Sequence, residues 1–238
     1  RLLNHKVFLS VGHDEYWSKE IRDHVEAARN AGINIGFFSA NTCYWRVRFE
    51  DSTPAAGQVQ SNRVMACYKQ DWALGPVAQQ QGPSAATNKF RSVQNQRPEN
   101  ALLGVMYGSD LDLYSGFNFV VTNSSDPYYA NTGLQNGDQL ALLVGYEWDF
   151  IVNNGSSPAN LVVLAESPVQ PSGTLPTFDE PPGEQSLPAN QDFTKSHSTR
   201  YTASSGAKVF ASGTIQWAWG LDSDDVNPAR EDDRVKQI

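Results

Sequence analysis

The 238-residue chain is poor in cysteine, in lysine and in long apolar runs. Two thiols, Cys43 and Cys67, are too few for a disulfide-scaffold protein or a four-thiolate zinc site. They leave two readings open: one bridge, which would suit an oxidising compartment, or two buried free thiols. No stretch approaches the ~18 uninterrupted apolar residues of a membrane span. The best runs, Val7–Val11 and Leu140–Val144, have the length of strands. Positive charge is short too, with 18 Lys and Arg against 26 Asp and Glu, a net charge of −8. That balance argues against nucleic acid or an anionic membrane surface as the main partner. Internal repeats, a signal peptide, the HExxH zinc motif and the G-x-S-x-G elbow are also missing, so neither a zinc protease nor a serine hydrolase is supported.

What is present describes an ordinary globule. Hydrophobic residues make up 39% and charged residues 18%, and the length is enough for a proper core. Many Asn, Gln, Ser and Thr lean toward a secreted or extracellular protein, with the cytoplasm as the alternative. Asn123-Ser124-Ser125 and Asn154-Gly155-Ser156 match the glycosylation acceptor pattern. The chain opens at Arg1 shortly before a strand and stops at Ile238 in an apparent helix, which reads as a fragment of a longer polypeptide.

The first forty residues carry the clearest pattern. Val7–Val11 is an apolar strand ending at Gly12. Ser18 is placed to cap a helix whose Ile21, Val25 and Ala28 share one face, with Glu20 in the first turn and Gly32 as the stop. Ile33–Phe38 is a second strand. Strand, crossover helix and strand on this spacing predict a βαβ unit and a parallel sheet. Tyr44–Phe49 and Arg63–Tyr68 alternate as a strand pair, and Gly75–Gln96 shows no useful periodicity. Arg97–Asn100 starts a short helix or turn, Phe117–Thr122 is a strand, and Gly133–Gly137 a turn. Residues 51–138 therefore read as a β-rich insertion in a single α/β domain spanning 1–238. Leu140–Val144, Leu161–Ala165 and Lys208–Ser212 return to buried-strand composition. Residues 168–190, rich in Pro, Gly and Ser, read as a long surface loop, and acidic Asp222–Asp233 as a solvated helix start.

Ligands of a doubly wound sheet bind beyond the carboxyl ends of its strands. Three polar clusters fall at such ends: Gly12–Trp17, Ser39–Asn41 and Gly145–Asp149. Within the first, His13 and Glu15 stand two apart in extended chain and point the same way, which suits a metal ligand beside a proton-handling group. H-x-E is also a common triplet, and its acids equally suit the following helix N-terminus. His24 reads as a solvent-facing or half-buried helix residue, and His197 as part of a polar loop. Cys43 lacks a His–carboxylate pair at a spacing that would make it a nucleophile.

Four segments together resemble one known family. Gly12-His13-Asp14-Glu15-Tyr16-Trp17-Ser18, Asn41–Glu50, Gly145-Tyr146-Glu147-Trp148-Asp149 and Ala211-Ser212-Gly213 with Trp217–Asp222 look like the C-terminal region of the large (β) subunit of N,N-dimethylformamidase, over nearly the whole chain. The resemblance implies a class I glutamine amidotransferase-like (flavodoxin-like) α/β fold. It also implies hydrolysis of a small amide at a mononuclear iron held by two tyrosines and one glutamate. Carried over residue by residue, the metal ligand is Glu15 and the catalytic positions are His13, Asn41 and Glu147. In the family both tyrosine ligands precede the H-x-E motif, so they are expected from an upstream part of the same polypeptide. Tyr16, Tyr44 and Tyr146 do not match them. The expected partners are a small-molecule amide and that upstream segment, with neither nucleic acid nor membrane, and with a homo-oligomer left open. The rival expectation is a non-catalytic binding or scaffolding module of a secreted multidomain protein, with aromatic residues (11%) suited to carbohydrate stacking.

Overall fold

A computed structural model describes residues 1–52, 57–110, 115–169, 192, 194–222 and 230–238. The chain opens with β1 (Val7–Val11), β2 (Tyr16–Ser18), α1 (Lys19–Asn30) and β3 (Asn34–Phe38). β1 and β3 pair in parallel, with Val7 opposite Asn34 and Val11 opposite Phe38, as a βαβ unit requires. Ser18 caps α1, its hydroxyl accepting from the Ile21 amide at 3.2 Å. The buried stripe of α1 is Arg22, Val25 and Ala28, whereas Ile21 is exposed. Arg22 displaces the expected apolar residue because every face of its guanidinium finds an acceptor. It reaches Glu26 at 2.6 Å, Cys43 Sγ at 3.2 Å and the Pro98 carbonyl at 3.3 Å. His24 is exposed on the same helix.

The middle of the chain forms β4 (Trp45–Glu50), β5 (Val64–Ala66), α2 (Pro76–Gln81), α3 (Asn100–Leu103), β6 (Met106–Asp110) and β7 (Phe117–Val120). β4 pairs in parallel with β2 and antiparallel with β5. The register sets Ala66 opposite Arg48 and so carries Cys67 to Val47, four residues past Cys43. At ~3.3 Å per residue this exceeds the ~7 Å that a disulfide spans, and both cysteines are free. The cysteines therefore lend no support to an oxidising compartment. Helices and 3₁₀ turns share residues 51–138 with the strands, so that stretch is less purely β than its composition implied.

β8 (Gln139–Val144), β9 (Glu147–Phe150), β10 (Val162–Pro168), β11 (Lys195–Thr202) and β12 (Lys208–Ala211) complete the chain. The largest sheet has the order β1-β3-β12-β11-β10. β12 continues the parallel half beside β3, but β11 and β10 run antiparallel. Only five residues, 203–207, join β11 to β12, too few for a crossover helix, so a hairpin is forced. The architecture is thus mixed α/β, with parallel elements and several sheets. β8 lies outside this sheet. It pairs with β7 in a two-stranded sheet of its own, and β6 pairs with β9 in another. The Gly145–Asp149 cluster therefore does not follow a strand of the main sheet, contrary to the sequence expectation. His197 is likewise a buried strand residue of β11 rather than a loop residue.

Alternation along the sheet builds a core on each face. Ile35, Phe37, Val209 and Ala211 pack with Val25 of α1 and with Trp17, Phe90 and Leu102. Phe38 and Phe210 point the other way, against Trp217, Phe119, Leu143 and Trp148. Each such side chain contributes roughly 1.5–3 kcal/mol by leaving water. Asn154 exchanges hydrogen bonds with Asn100 at 2.8 and 3.2 Å, so its amide is committed to packing, whereas Asn123 Oδ1 accepts locally from Ser125 Oγ. The surface loop expected at 168–190 lies, but for its first two residues, outside the described residues. So does most of the acidic stretch, and the apparent C-terminal helix is a 3₁₀ turn at Val235–Gln237. Among the described residues no helix is long and apolar enough to cross a membrane.

Candidate functional site

Two left-handed turns begin the site. β1 ends at Gly12 (φ 71°), where the Gly12 carbonyl accepts from Ser39 Oγ. Asp14 then braces its own loop, accepting from Ser10 Oγ at 2.6 Å and Trp17 Nε1 at 2.7 Å. After β3 the chain turns through Asn41 (φ 54°) and Cys43 (φ 56°). The two loops are laced by backbone bonds: the Asp14 carbonyl accepts from Cys43, and the Glu15 carbonyl accepts from Tyr44 and Trp45, each at 2.9 Å. Asn tolerates the left-handed region better than most residues. The turn delivers its side chain to the acids.

The third segment is held by the turn after β12. Asp149 N donates to the Gly213 carbonyl at 2.9 Å, and Ile215 N to the Glu147 carbonyl at 3.2 Å. Thr214 Oγ1 accepts from Gly145 N and donates to the Leu143 carbonyl. Gly213 has φ 67°, and a Cβ there would stand 2.0 Å from the His197 carbonyl oxygen, so no side chain fits. These bonds bring β9 across to the main sheet although it belongs to another.

All four carried-over residues meet. Asn41 Nδ2 donates to Glu147 Oε1 at 3.2 Å, and its side chain also hydrogen-bonds Glu15. His13 Nε2 and the Tyr146 hydroxyl share a 2.7 Å hydrogen bond that ties the first loop to the third. Asn41 is buried, Glu15 and Glu147 are half-buried, and His13 is exposed. Burial pushes the Glu147 carboxyl up to about 7, against the Asn41 hydrogen bond, and nearby Glu15 and Asp110 push it further. Burial also raises Glu15, opposed by Lys69, by hydrogen bonds from Asn41 and Trp45, and by His13. A carboxyl titrating near neutrality is matched to proton transfer at neutral pH. Cys43 is fully buried and its thiol is pushed up to about 12 despite Arg22, so it is no nucleophile.

Several residues here were given no role by the sequence. Asp149 is fully buried, raised to about 7 by burial, and accepts from the Asn41 backbone N–H at 2.9 Å. Arg91 Nε contacts both Glu99 oxygens at 3.1 Å, and its other end donates to the Tyr107 carbonyl at 3.2 Å. Lys69 lies 4.8 Å from the Trp45 ring centre and 5.3 Å from that of Tyr16. Asp149 belongs to a quoted motif, so its signal was on the page. Arg91 sits in the stretch without periodicity and Lys69 just past a strand candidate, and neither had one.

As a metal centre the donor set is partial. Glu15 is a hard-oxygen donor of the kind iron takes, and the buried Asn41 Oδ1 has no hydrogen-bond partner among the described residues. Among the described residues no group of three or more His, Cys, Asp and Glu is placed to hold a metal ion. Among the described residues Glu15 supplies one such oxygen donor, and they do not complete a metal site.

Fold and site together define a mixed α/β domain with a carboxylate–amide cluster at neighbouring loop ends. The chain belongs to the family described as N,N-dimethylformamidase beta subunit-like, C-terminal, whose model matches residues 1–231. No curated protein matches the sequence.

Proposed function

We propose that this chain is the hydrolytic domain of a dimethylformamidase-like amidohydrolase, with a class I glutamine amidotransferase-like fold, acting on the C–N bond of a small amide. The observation that carries the reading is the Asn41 amide placed between Glu15 and Glu147, with Glu147 raised to about 7. A mononuclear iron is part of the proposal, held by Glu15 and by two tyrosines from chain preceding Arg1. When bound it supplies Lewis-acid polarisation of the amide carbonyl.

This chain's own residues do the rest. Asn41 Nδ2, which donates to Glu147 and Glu15 in the free site, turns one N–H to the carbonyl oxygen as negative charge develops there. The Glu147 carboxylate takes a proton from the attacking water and returns it to the departing nitrogen, a role that needs both protonation states near neutrality. His13, fixed by Tyr146, moves protons at the outer side of the site.

The test is Glu15→Gln in the full-length protein, with iron content and hydrolysis of simple formamides measured side by side. Loss of both with the fold intact supports the reading. Retained iron with lost activity makes Glu15 a proton-transfer group instead. A full-length wild type with neither iron nor amidase activity overturns the reading in favour of a binding module.

A further inference from the structure

We infer that Asp149 is the positioning residue of this site: it fixes the left-handed backbone of Asn41 and thereby aims the Asn41 amide at the acids. The inference rests on the proposed amidohydrolase reading only for its activity arm.

Asn41 stands at φ 54° in a turn between β3 and β4 whose next left-handed residue, Cys43, is two positions on. Asn tolerates this region, but tolerance alone does not fix the turn or the direction of its side chain. A turn of this kind persists when its surroundings over-determine it. Asp149 Oδ1 supplies such a constraint by accepting from the Asn41 N–H at 2.9 Å, both partners being buried. When ionised, the Asp149 carboxylate makes this bond stronger than a neutral backbone one.

Asp149 is itself anchored. Its backbone N–H is held by the Gly213 carbonyl, and Gly213 occupies a spot where no side chain fits. The acceptor therefore cannot drift, and the constraint runs from Gly213 through Asp149 to Asn41 Nδ2 and Glu147. Around Asp149 stand the buried Arg91–Glu99 pair and Glu147; Glu99 and Glu147 oppose its charge and Arg91 favours it. A site that places a fully buried carboxylate beside two other acids incurs a desolvation cost. Holding one backbone N–H in a catalytic turn is a function that matches that cost.

The experiment compares Asp149→Ala with Asp149→Asn in the full-length protein, reading hydrogen exchange of the Asn41 amide and steady-state amidase kinetics. Asn keeps an oxygen that accepts the same bond; Ala does not. Asp149→Ala is expected to speed Asn41 exchange at least about tenfold and to lower kcat about 100-fold with KM nearly unchanged, since small misplacements of an aligned group cost that much. Asp149→Asn is expected to restore both to within about threefold. Unchanged Asn41 exchange in a folded Asp149→Ala overturns the inference. If Asp149→Ala does not fold, Asp149→Ser takes its place, its oxygen being too short to reach. Failure of both to fold overturns the positioning role in favour of a purely structural one. A wild type without amidase activity would count against the amidohydrolase reading alone, because the exchange arm still decides the role of Asp149.

Discussion

Glu147→Gln should make the protein more stable at alkaline pH and leave it unchanged in acid. Gln keeps the shape and the oxygen that accepts from Asn41 Nδ2, and it removes only the ionisable proton. In the folded chain burial lifts the Glu147 carboxyl from its ordinary 4.5 to about 7. Between those values the folded state holds a proton that the unfolded chain has released. Wild-type stability is therefore full below about pH 4.5 and falls as pH rises toward 7, after which the whole cost of a buried carboxylate is felt. At about 1.4 kcal/mol per pH unit, the interval corresponds to about 3 kcal/mol. Glu147 is half-buried, and solvent screening brings the expected figure to about 1–3 kcal/mol. Asp149, raised in the same direction, is present in both proteins, and losing the Glu147 charge beside it eases its ionisation, which acts in the same sense. Urea denaturation at about pH 4 and about pH 8 reads the effect. The variant should unfold at the same urea concentration as wild type in acid and at a higher one in base. In a thermal scan the gain at pH 8 would be roughly 2–10 °C for a chain of this size. An equal offset at both pH values, or a less stable Gln variant at pH 8, would refute the argument.

Removing the α1 cap with Ser18→Ala should cost about 1 kcal/mol in a urea melt, because the Ile21 amide loses its acceptor. Glu99→Gln removes the carboxylate that Arg91 Nε contacts among groups no more than 3% exposed, and the expected loss is about 3–5 kcal/mol by the same measurement. Thiol titration without reductant should count two free cysteines once the chain is unfolded. In the folded protein Cys43, buried and pushed up to about 12, should stay unlabelled while half-exposed Cys67 reacts slowly. A count of zero after unfolding would mean that a bridge exists.

The βαβ unit was legible because each of its signals is local. Apolar runs, a capping Ser and a stop glycine need no knowledge of distant chain, and strand, helix and strand came out in register. Arg22 shows where that reasoning ends. Helical periodicity favoured an apolar neighbour, and besides Glu26 one turn on, partners 21 and 76 residues away make an arginine acceptable inside. The placement of β8 failed for a related reason. Its composition is that of a buried strand, yet composition does not say which sheet buries it, and Phe117–Val120 does. The site fared better than the topology that was supposed to explain it. His13, Glu15, Asn41 and Glu147 were named through a resemblance in sequence, and they meet because Thr214 and Gly213 pull β9 across. The expected route, strand ends of one parallel sheet, brings His13, Glu15 and Asn41 together after β1 and β3 but does not deliver Glu147. Asp149 stood in plain view within Gly145–Asp149, but what marks it is burial, which one sequence does not display.

The position of β12 between β3 and β11 has a consequence for the order in which the molecule can be made. Phe38 at the end of β3 and Lys208 at the start of β12 are 170 residues apart in the chain, yet these strands are neighbours at the middle of the largest sheet. At ribosomal rates of ~5–20 residues per second, β3 emerges on the order of ten to thirty seconds before its neighbour exists. Throughout that interval its inner edge offers a row of unpaired N–H and C=O groups to any other strand in reach. Pairing over so long a separation is also slow, since the loop must close before the contacts repay it. The centre of this sheet is therefore the last part to be sealed, and a nascent or refolding chain is most exposed to mispairing at the strand that leads directly to Asn41.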